Sequence, residues 1–328
     1  MDAKFAGFVC APDFVAVMFA YNLSFGLKIR VNWQKIHHFL VGEAGILAFC
    51  CLLAKKVLST YVVYSLVCMS HYYMPEGMRP STLEERKEFY TNDFAVGKVS
   101  DWLAERQGKT KFAVIIGRHT KIYPEEYADD AETTIIIDDY VDLADVRNQV
   151  LEFVPESVYY DRTCYDKDDA VVGQELAFDL DPENITCPVH GTLADKMARG
   201  QGLGFCEIEL GLVKEQAVSL YEHLAEQFSR LRIVYSGRGF HIHVLDPDAY
   251  SLSTKARLEL AEKVKSLGFE IDAWVTAGEM RLIRLPFSLH GMVSRVAIPL
   301  EKNEIEKFNP IQDARCIPAF LKQEFTSS

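Results

Sequence analysis

Glu175-Leu176-Ala177-Phe178-Asp179-Leu180-Asp181 alternates apolar and polar side chains with the period of a β-strand. On such a strand Leu176, Phe178 and Leu180 face a core, while Asp179 and Asp181 share the opposite face. Two carboxylates on one face at a strand end can hold a hard divalent cation. Magnesium prefers oxygen ligands and keeps positions open for water and phosphate oxygens. A solvent-facing polar edge gives the same pattern, so the pair acquires chemical meaning only from its surroundings.

On the N-terminal side, Thr82 and Glu85 have capping-box spacing for a helix through Phe89. A second helix is expected around Val99–Arg106. Strand-like runs follow at Phe112–Ile116, Thr133–Ile137 and Val158–Tyr165. Val141–Phe153 has helical spacing with Leu143, Val146 and Val150 on its apolar stripe, and Asp139 as candidate N-cap. On the C-terminal side, Glu207–Leu231 reads as a long helix with Leu210, Val213, Ala217, Leu220 and Leu224 on one face. Strands are expected at Arg232–Tyr235 and Phe240–Leu245, a helix at Ser253–Leu267, and extended chain at Leu282–Leu285 and Val293–Leu300. Strands and helices mix without strict alternation, which predicts an α+β (mixed α/β) fold.

Composition fits a globular chain: 328 residues, 49% hydrophobic and 25% charged, with a net charge of −12. That charge excludes a broad basic nucleic-acid surface. Eight cysteines in this length do not make a disulfide scaffold, and no secretory leader is visible, so a cytoplasmic protein with reduced thiols is expected. Residues 1–77 differ from the rest. Four acids against six bases leave +2 there and −14 over residues 78–328. The run Val57–Met74 has no charged residue, which meets the lower limit for a membrane span and also suits buried strand. Met78 opens sequence of ordinary soluble character. Residues 1–77 are therefore expected to be a start-site artefact or an unrelated extension, rather than an anchor, with one catalytic domain at 78–328.

Three further segments carry chemistry. Ser236-Gly237-Arg238-Gly239-Phe240-His241 lies between two apolar strands; its glycines permit close backbone approach, and its guanidinium and hydroxyl suit phosphate oxygens. An ordinary hairpin with a surface arginine is the plainer reading. Arg281-Leu282-Ile283-Arg284-Leu285-Pro286-Phe287-Ser288-Leu289-His290 embeds Arg284 in apolar chain, so that arginine is ion-paired or ligand-bound. Asp272, upstream, sits beside an expected strand. Cys187-Pro188-Val189-His190 with Cys206 forms part of a zinc site in an insertion near 182–206, with Cys164, Asp195 or Glu209 as candidate fourth ligands. An unmetallated loop is the alternative.

Taken in order, these segments resemble the catalytic small subunit of the archaeal and eukaryotic-type DNA primase, from Met78 nearly to the C-terminus. The resemblance implies a primase catalytic core of β-sheets flanked by helices that synthesises short RNA primers on single-stranded DNA. It implies that Asp179, Asp181 and Asp272 bind two magnesium or manganese ions. Ser236, Arg238 and His241 match the nucleotide-contacting turn. Arg284 and a protonated His290 match the triphosphate grip. Gly278 stands where the family often has an acid, and Met292 where it can have a lysine. The implied partners are a large regulatory subunit, the DNA template and ribonucleoside triphosphates. A related primase-polymerase or repair polymerase using deoxyribonucleotides is the rival enzyme reading. A non-catalytic nucleotide-binding subunit is the rival from another class.

Overall fold

Thr82 accepts the Glu85 amide and Glu85 accepts the Thr82 amide, so the chain enters its first helix, α1 (Leu83–Glu88), through the expected capping box. The computed structural model describes residues 72–106 and 108–326; most of the 1–77 segment and of the uncharged Val57–Met74 run lies outside the described residues. No described helix is long and apolar enough to cross a membrane.

After α1 come α2 (Val96–Ala104), β1 (Phe112–Ile115), β2 (Ile135–Ile137), α3 (Leu143–Phe153), β3 (Ser157–Asp161), β4 (Thr163–Tyr165), β5 (Val171–Gln174) and β6 (Leu176–Leu180). The C-terminal half adds α4 (Leu193–Ala198), α5 (Glu207–Leu224), β7 (Leu231–Tyr235), β8 (Phe240–Val244), α6 (Thr254–Ser266) and α7 (Ala273–Ala277). It closes with β9 (Leu282–Arg284), β10 (Leu289–His290), β11 (Arg295–Val296), β12 (Ile298–Leu300) and α8 (Ala319–Thr326).

Among the described residues the strands form two four-stranded antiparallel sheets, ordered β2-β1-β3-β9 and β12-β7-β8-β6, with small pairs β4-β5 and β10-β11. This is the expected α+β architecture. The alternation of β6 carries through: Leu176, Phe178 and Leu180 are buried in a core with the α5 stripe Leu210, Val213, Ala217, Leu220 and Leu224. Each such aliphatic or aromatic side chain contributes roughly 1.5–3 kcal/mol on burial. Ala177, on the other face of β6, joins a second core with Phe112, Val158 and Ile283 of the first sheet and Val146 and Val150 of α3. The register sets Asp179 opposite His241 and Ala177 opposite His243, so the polar face of β6 and β8 is shared.

Four local expectations are corrected. Asp142 rather than Asp139 caps α3, because its carboxylate accepts the Ala144 and Asp145 amides. Helix α5 stops at Leu224, since Leu231 is already paired with Val244 in β7. Val158–Tyr165 is two strands in different sheets, parted at Arg162. That buried guanidinium binds the Glu175, Val275 and Met280 carbonyls. The segment after Asp272 is a short helix, not a strand: Asp272 accepts the Trp274 amide, and Gly278, at φ +89°, closes it.

Candidate active site

Asp179 and Asp181 stand at the end of β6 with about a quarter of each side chain exposed. Asp272 reaches them from α7, its amide donating to the Asp179 carbonyl at 2.9 Å. Partial burial, and then the charges of Asp181, Asp272 and Glu183, push the Asp179 carboxyl well above the usual carboxylate range. Burial pushes the Asp181 carboxyl up as well, against the pull of Arg238. Oxygen-only donors held against their mutual repulsion fit hard divalent cations.

The cationic half is carried by the β7–β8 turn and by β9–β10. Both glycines of the turn are needed where they stand. A Cβ on Gly239 would lie 2.1 Å from the Leu180 carbonyl, and one on Gly237, at φ +107°, would meet His290 at 2.5 Å. The turn is thus wedged between the aspartate strand and His290, which brings three distant segments together. Ser236 is buried and its hydroxyl accepts the Gly239 amide at 3.2 Å. Nη2 of Arg238 donates to Asp181 Oδ1 at 2.8 Å and to Glu183 Oε1 at 2.9 Å. His241 Nε2 is 3.4 Å from Asp179 Oδ1. Arg284 is buried, and its described polar contact is the Tyr159 hydroxyl at 3.2 Å, with the Tyr159 ring 5.0 Å away. Among the described residues it has no carboxylate partner, so the buried ion-pair alternative is not what the structure shows.

Four buried nitrogens in this half lack a partner among the described residues: Arg238 Nε, His241 Nδ1, Arg284 Nη1 and His290 Nδ1. Buried polar atoms are normally satisfied, and these four lie close enough together that the oxygens of one bound anion would satisfy them. Burial and the neighbouring Arg284 hold His290 well below the usual histidine range, and burial with His243 does the same for His241. The expectation of a protonated His290 concerns the triphosphate-bound site; with no anion there, burial and Arg284 favour the neutral ring.

Buried ionic groups fix the scaffold around the site. Glu175, at the foot of β6, accepts from Arg106 Nε at 2.7 Å and the Tyr160 hydroxyl at 3.0 Å, and pairs with His243 Nδ1 at 2.7 Å. Burial would raise its carboxyl, but Arg106 and His243 outweigh that and hold it at about 2. Glu156 does the same for the loop beside His290, binding the His119 and Thr120 amides and the His119 ring. Its own carbonyl accepts the Gly291 amide at 2.7 Å.

A second cluster gathers one ligand atom each from Cys187, His190, Cys206 and Glu209 within 4.8 Å of one another. The two sulfurs are 3.8 Å apart, the tetrahedral edge expected for metal–sulfur bonds of about 2.3 Å. His190 Nδ1 lies 3.3 Å from the Cys187 sulfur and 3.9 Å from Glu209 Oε2. Of the three candidate fourth ligands, only Glu209 is in place. Asp195 is the capping-box residue of α4, and Cys164 is buried on β4 beside Arg106. The other Glu209 oxygen is held at 2.7 Å by Lys196 Nζ, both side chains fully buried. Tyr73 stacks on His190 at 4.0 Å and donates to Glu209 at 3.3 Å, although it precedes the boundary drawn at Met78. Burial pushes the Cys206 thiol up to about 11.

No family model matches the chain. An uncharacterised DNA primase small subunit-like protein of Archaeoglobus fulgidus is 48% identical over 267 residues, which cover 76% of this chain and 94% of that protein. The chain belongs to the DNA primase small-subunit family. The primase small subunit of Pyrococcus abyssi is 29% identical over 55% of this chain, and the matched part spans only 48% of that relative's length. Among solved structures, the polymerase domain of Mycobacterium tuberculosis ligase D in complex with DNA superposes with a TM-score of 0.46 at 12% identity, covering 76% of this chain and 90% of that one.

In this family member, the eight residues singled out for metal and nucleotide from sequence lie on neighbouring elements around one site. Glu183, Tyr159 and the Glu156–His119 pair were not singled out. Glu183 had a visible signal, an acid two residues beyond Asp181; the other residues are brought in by sheet pairing between distant segments.

Proposed function

We propose that this chain is the catalytic small subunit of a DNA primase, a nucleotidyltransferase that makes short RNA primers on single-stranded DNA. The observation that supports it best is the pairing of three mutually repelling aspartates with four buried nitrogens, on Arg238, His241, Arg284 and His290, that have no partner among the described residues. One half suits metal ions and the other a triphosphate. A non-catalytic nucleotide pocket would need the second half without the first.

In this reading a 3′-hydroxyl attacks the α-phosphorus of an incoming nucleotide and pyrophosphate leaves. Two magnesium or manganese ions, when bound, supply Lewis-acid stabilisation of the attacking and leaving oxygens. Asp179, Asp181 and Asp272 provide their oxygen ligands. Arg238 and Arg284 balance the triphosphate charge from a site with little water. His290, neutral at rest, donates a hydrogen bond and gains a proton as the anion arrives. The Cys187, His190, Cys206 and Glu209 cluster would hold a structural zinc. One zinc per chain is expected by elemental analysis, falling to near zero in Cys206→Ser; an equal zinc content in both would remove that assignment.

A charge of −14 over residues 78–328 disfavours unaided binding of a polyanionic template. A large regulatory subunit is therefore proposed as the partner that supplies template binding. The test is primer synthesis by the full chain on single-stranded DNA, with labelled ribonucleotides or deoxyribonucleotides, magnesium or manganese, and Asp181→Asn as control. Metal-dependent product, raised by the partner and lost in the variant, is expected. Absence of product even with the partner present would overturn the reading, and the sugar incorporated separates a primase from a repair polymerase.

A further inference from the structure

Arg238 does not stand free beside the phosphate-binding nitrogens; its Nη2 is divided between Asp181 at 2.8 Å and Glu183 at 2.9 Å. The Asp181 carboxylate is shared between Arg238 and the metal ions proposed for it, whereas the Glu183 carboxylate is assigned no metal and can serve Arg238 throughout. We propose that Glu183 is a positioning residue for Arg238, holding its guanidinium at the nucleotide phosphates once Asp181 is engaged by metal. This inference rests on the nucleotidyltransferase reading of the same site.

The geometry around Glu183 suits a fixed support. Its amide donates to Asp181 Oδ1 at 3.1 Å, and the Asn184 amide donates to the Asp181 carbonyl at 3.0 Å, so residues 181–184 form a closed turn. The Pro182 carbonyl at the centre of the turn accepts from the buried Lys196 ammonium at 3.3 Å. Lys196 in turn is locked by Glu209, which ties the turn to the Cys/His cluster behind it. The guanidinium also lies 5.5 Å from the ring of Phe205, which is fully buried. A guanidinium is a rigid planar fork, so holding one Nη fixes the remaining donors. The Nε, buried without a partner among the described residues, is one donor left for a phosphate oxygen.

The full chain is tested as wild type, Glu183→Gln, Arg238→Ala and the double variant. Triphosphate KM and kcat are measured alongside manganese affinity, read by electron paramagnetic resonance without substrate. Glu183 is a third exposed, so Glu183→Gln is expected to fold as wild type. It should raise the triphosphate KM about tenfold, the scale of one charge-assisted contact. Its kcat should stay within about twofold and its manganese affinity should be unchanged. In the Arg238→Ala background, Glu183→Gln should add nothing further. An unchanged KM overturns the inference, as does a KM effect that persists without Arg238. Weakened manganese binding would make Glu183 a metal ligand instead. A wild-type chain that, even with the large-subunit partner present, neither binds triphosphate nor extends a primer overturns the reading of the site itself. Wild-type binding matched by Glu183→Gln overturns this inference alone.

Discussion

Asp179→Asn is expected to abolish primer synthesis while making the metal-free protein more stable. The loss should be at least about a thousandfold, because removing a metal-ligating charge forfeits several kcal/mol of transition-state stabilisation. The stability gain follows from the direction of the Asp179 shift. Its carboxyl titrates higher in the folded than in the unfolded chain, owing to burial and to Asp181, Asp272 and Glu183. The resulting cost to folding is absent below its ordinary value of 3.8, grows as pH rises, and is complete above the raised folded value. At neutral pH the asparagine variant escapes it, so it should melt higher than wild type in chelator. Magnesium or manganese should narrow the gap by stabilising wild type. Calorimetry in chelator and in metal, beside the synthesis assay, checks both halves. Retained synthesis, or a variant that melts lower in chelator, would contradict the assignment of Asp179.

Lys196→Met should produce the larger structural effect. Lys196 and Glu209 are both fully buried, and the ammonium also satisfies the Pro182 and Gly204 carbonyls. Removing one partner of a buried pair leaves an uncompensated charge, a loss of about 3–5 kcal/mol. For a domain of this size that is a fall of roughly 10 °C in melting temperature. Lys196→Met combined with Glu209→Gln should recover part of it, because both charges go together. Zinc should also recover part of it in the single variant, since a cation at the cluster would replace the lost ammonium as the counter-charge of Glu209. Melting curves in chelator and with added zinc distinguish these cases. A single variant as stable as wild type in chelator would show that Glu209 does not depend on Lys196.

Local pattern carried the parts of this fold that depend on neighbours in the chain. The α5 stripe was legible because helical period is a property of the segment itself, and the Thr82–Glu85 box because it spans a single turn. The cap of α3 was misplaced from Asp142 to Asp139 because two aspartates three residues apart are equally good caps until the backbone chooses one. The Ala273–Ala277 helix read as strand because its tryptophan, valine and threonine favour that state. Asp272, Gly278 and packing against α6 override the preference.

The sequence by itself determined the α+β class and the shared face of Asp179 and Asp181, and its motif order, through the family resemblance, named eight of the residues that meet at the site. These follow from alternation, turn chemistry and a motif order that does not depend on distance. Only the tertiary structure decided that Arg238 rests on Asp181 and Glu183, that burial and Arg284 push His290 toward its neutral form, and that Glu209 lies beside the two cysteines and His190 while paired with Lys196. Those facts depend on distances and burial between segments far apart in the chain. They are set by how the two sheets and the helices beneath them pack, for which no stretch of local sequence carries a signal.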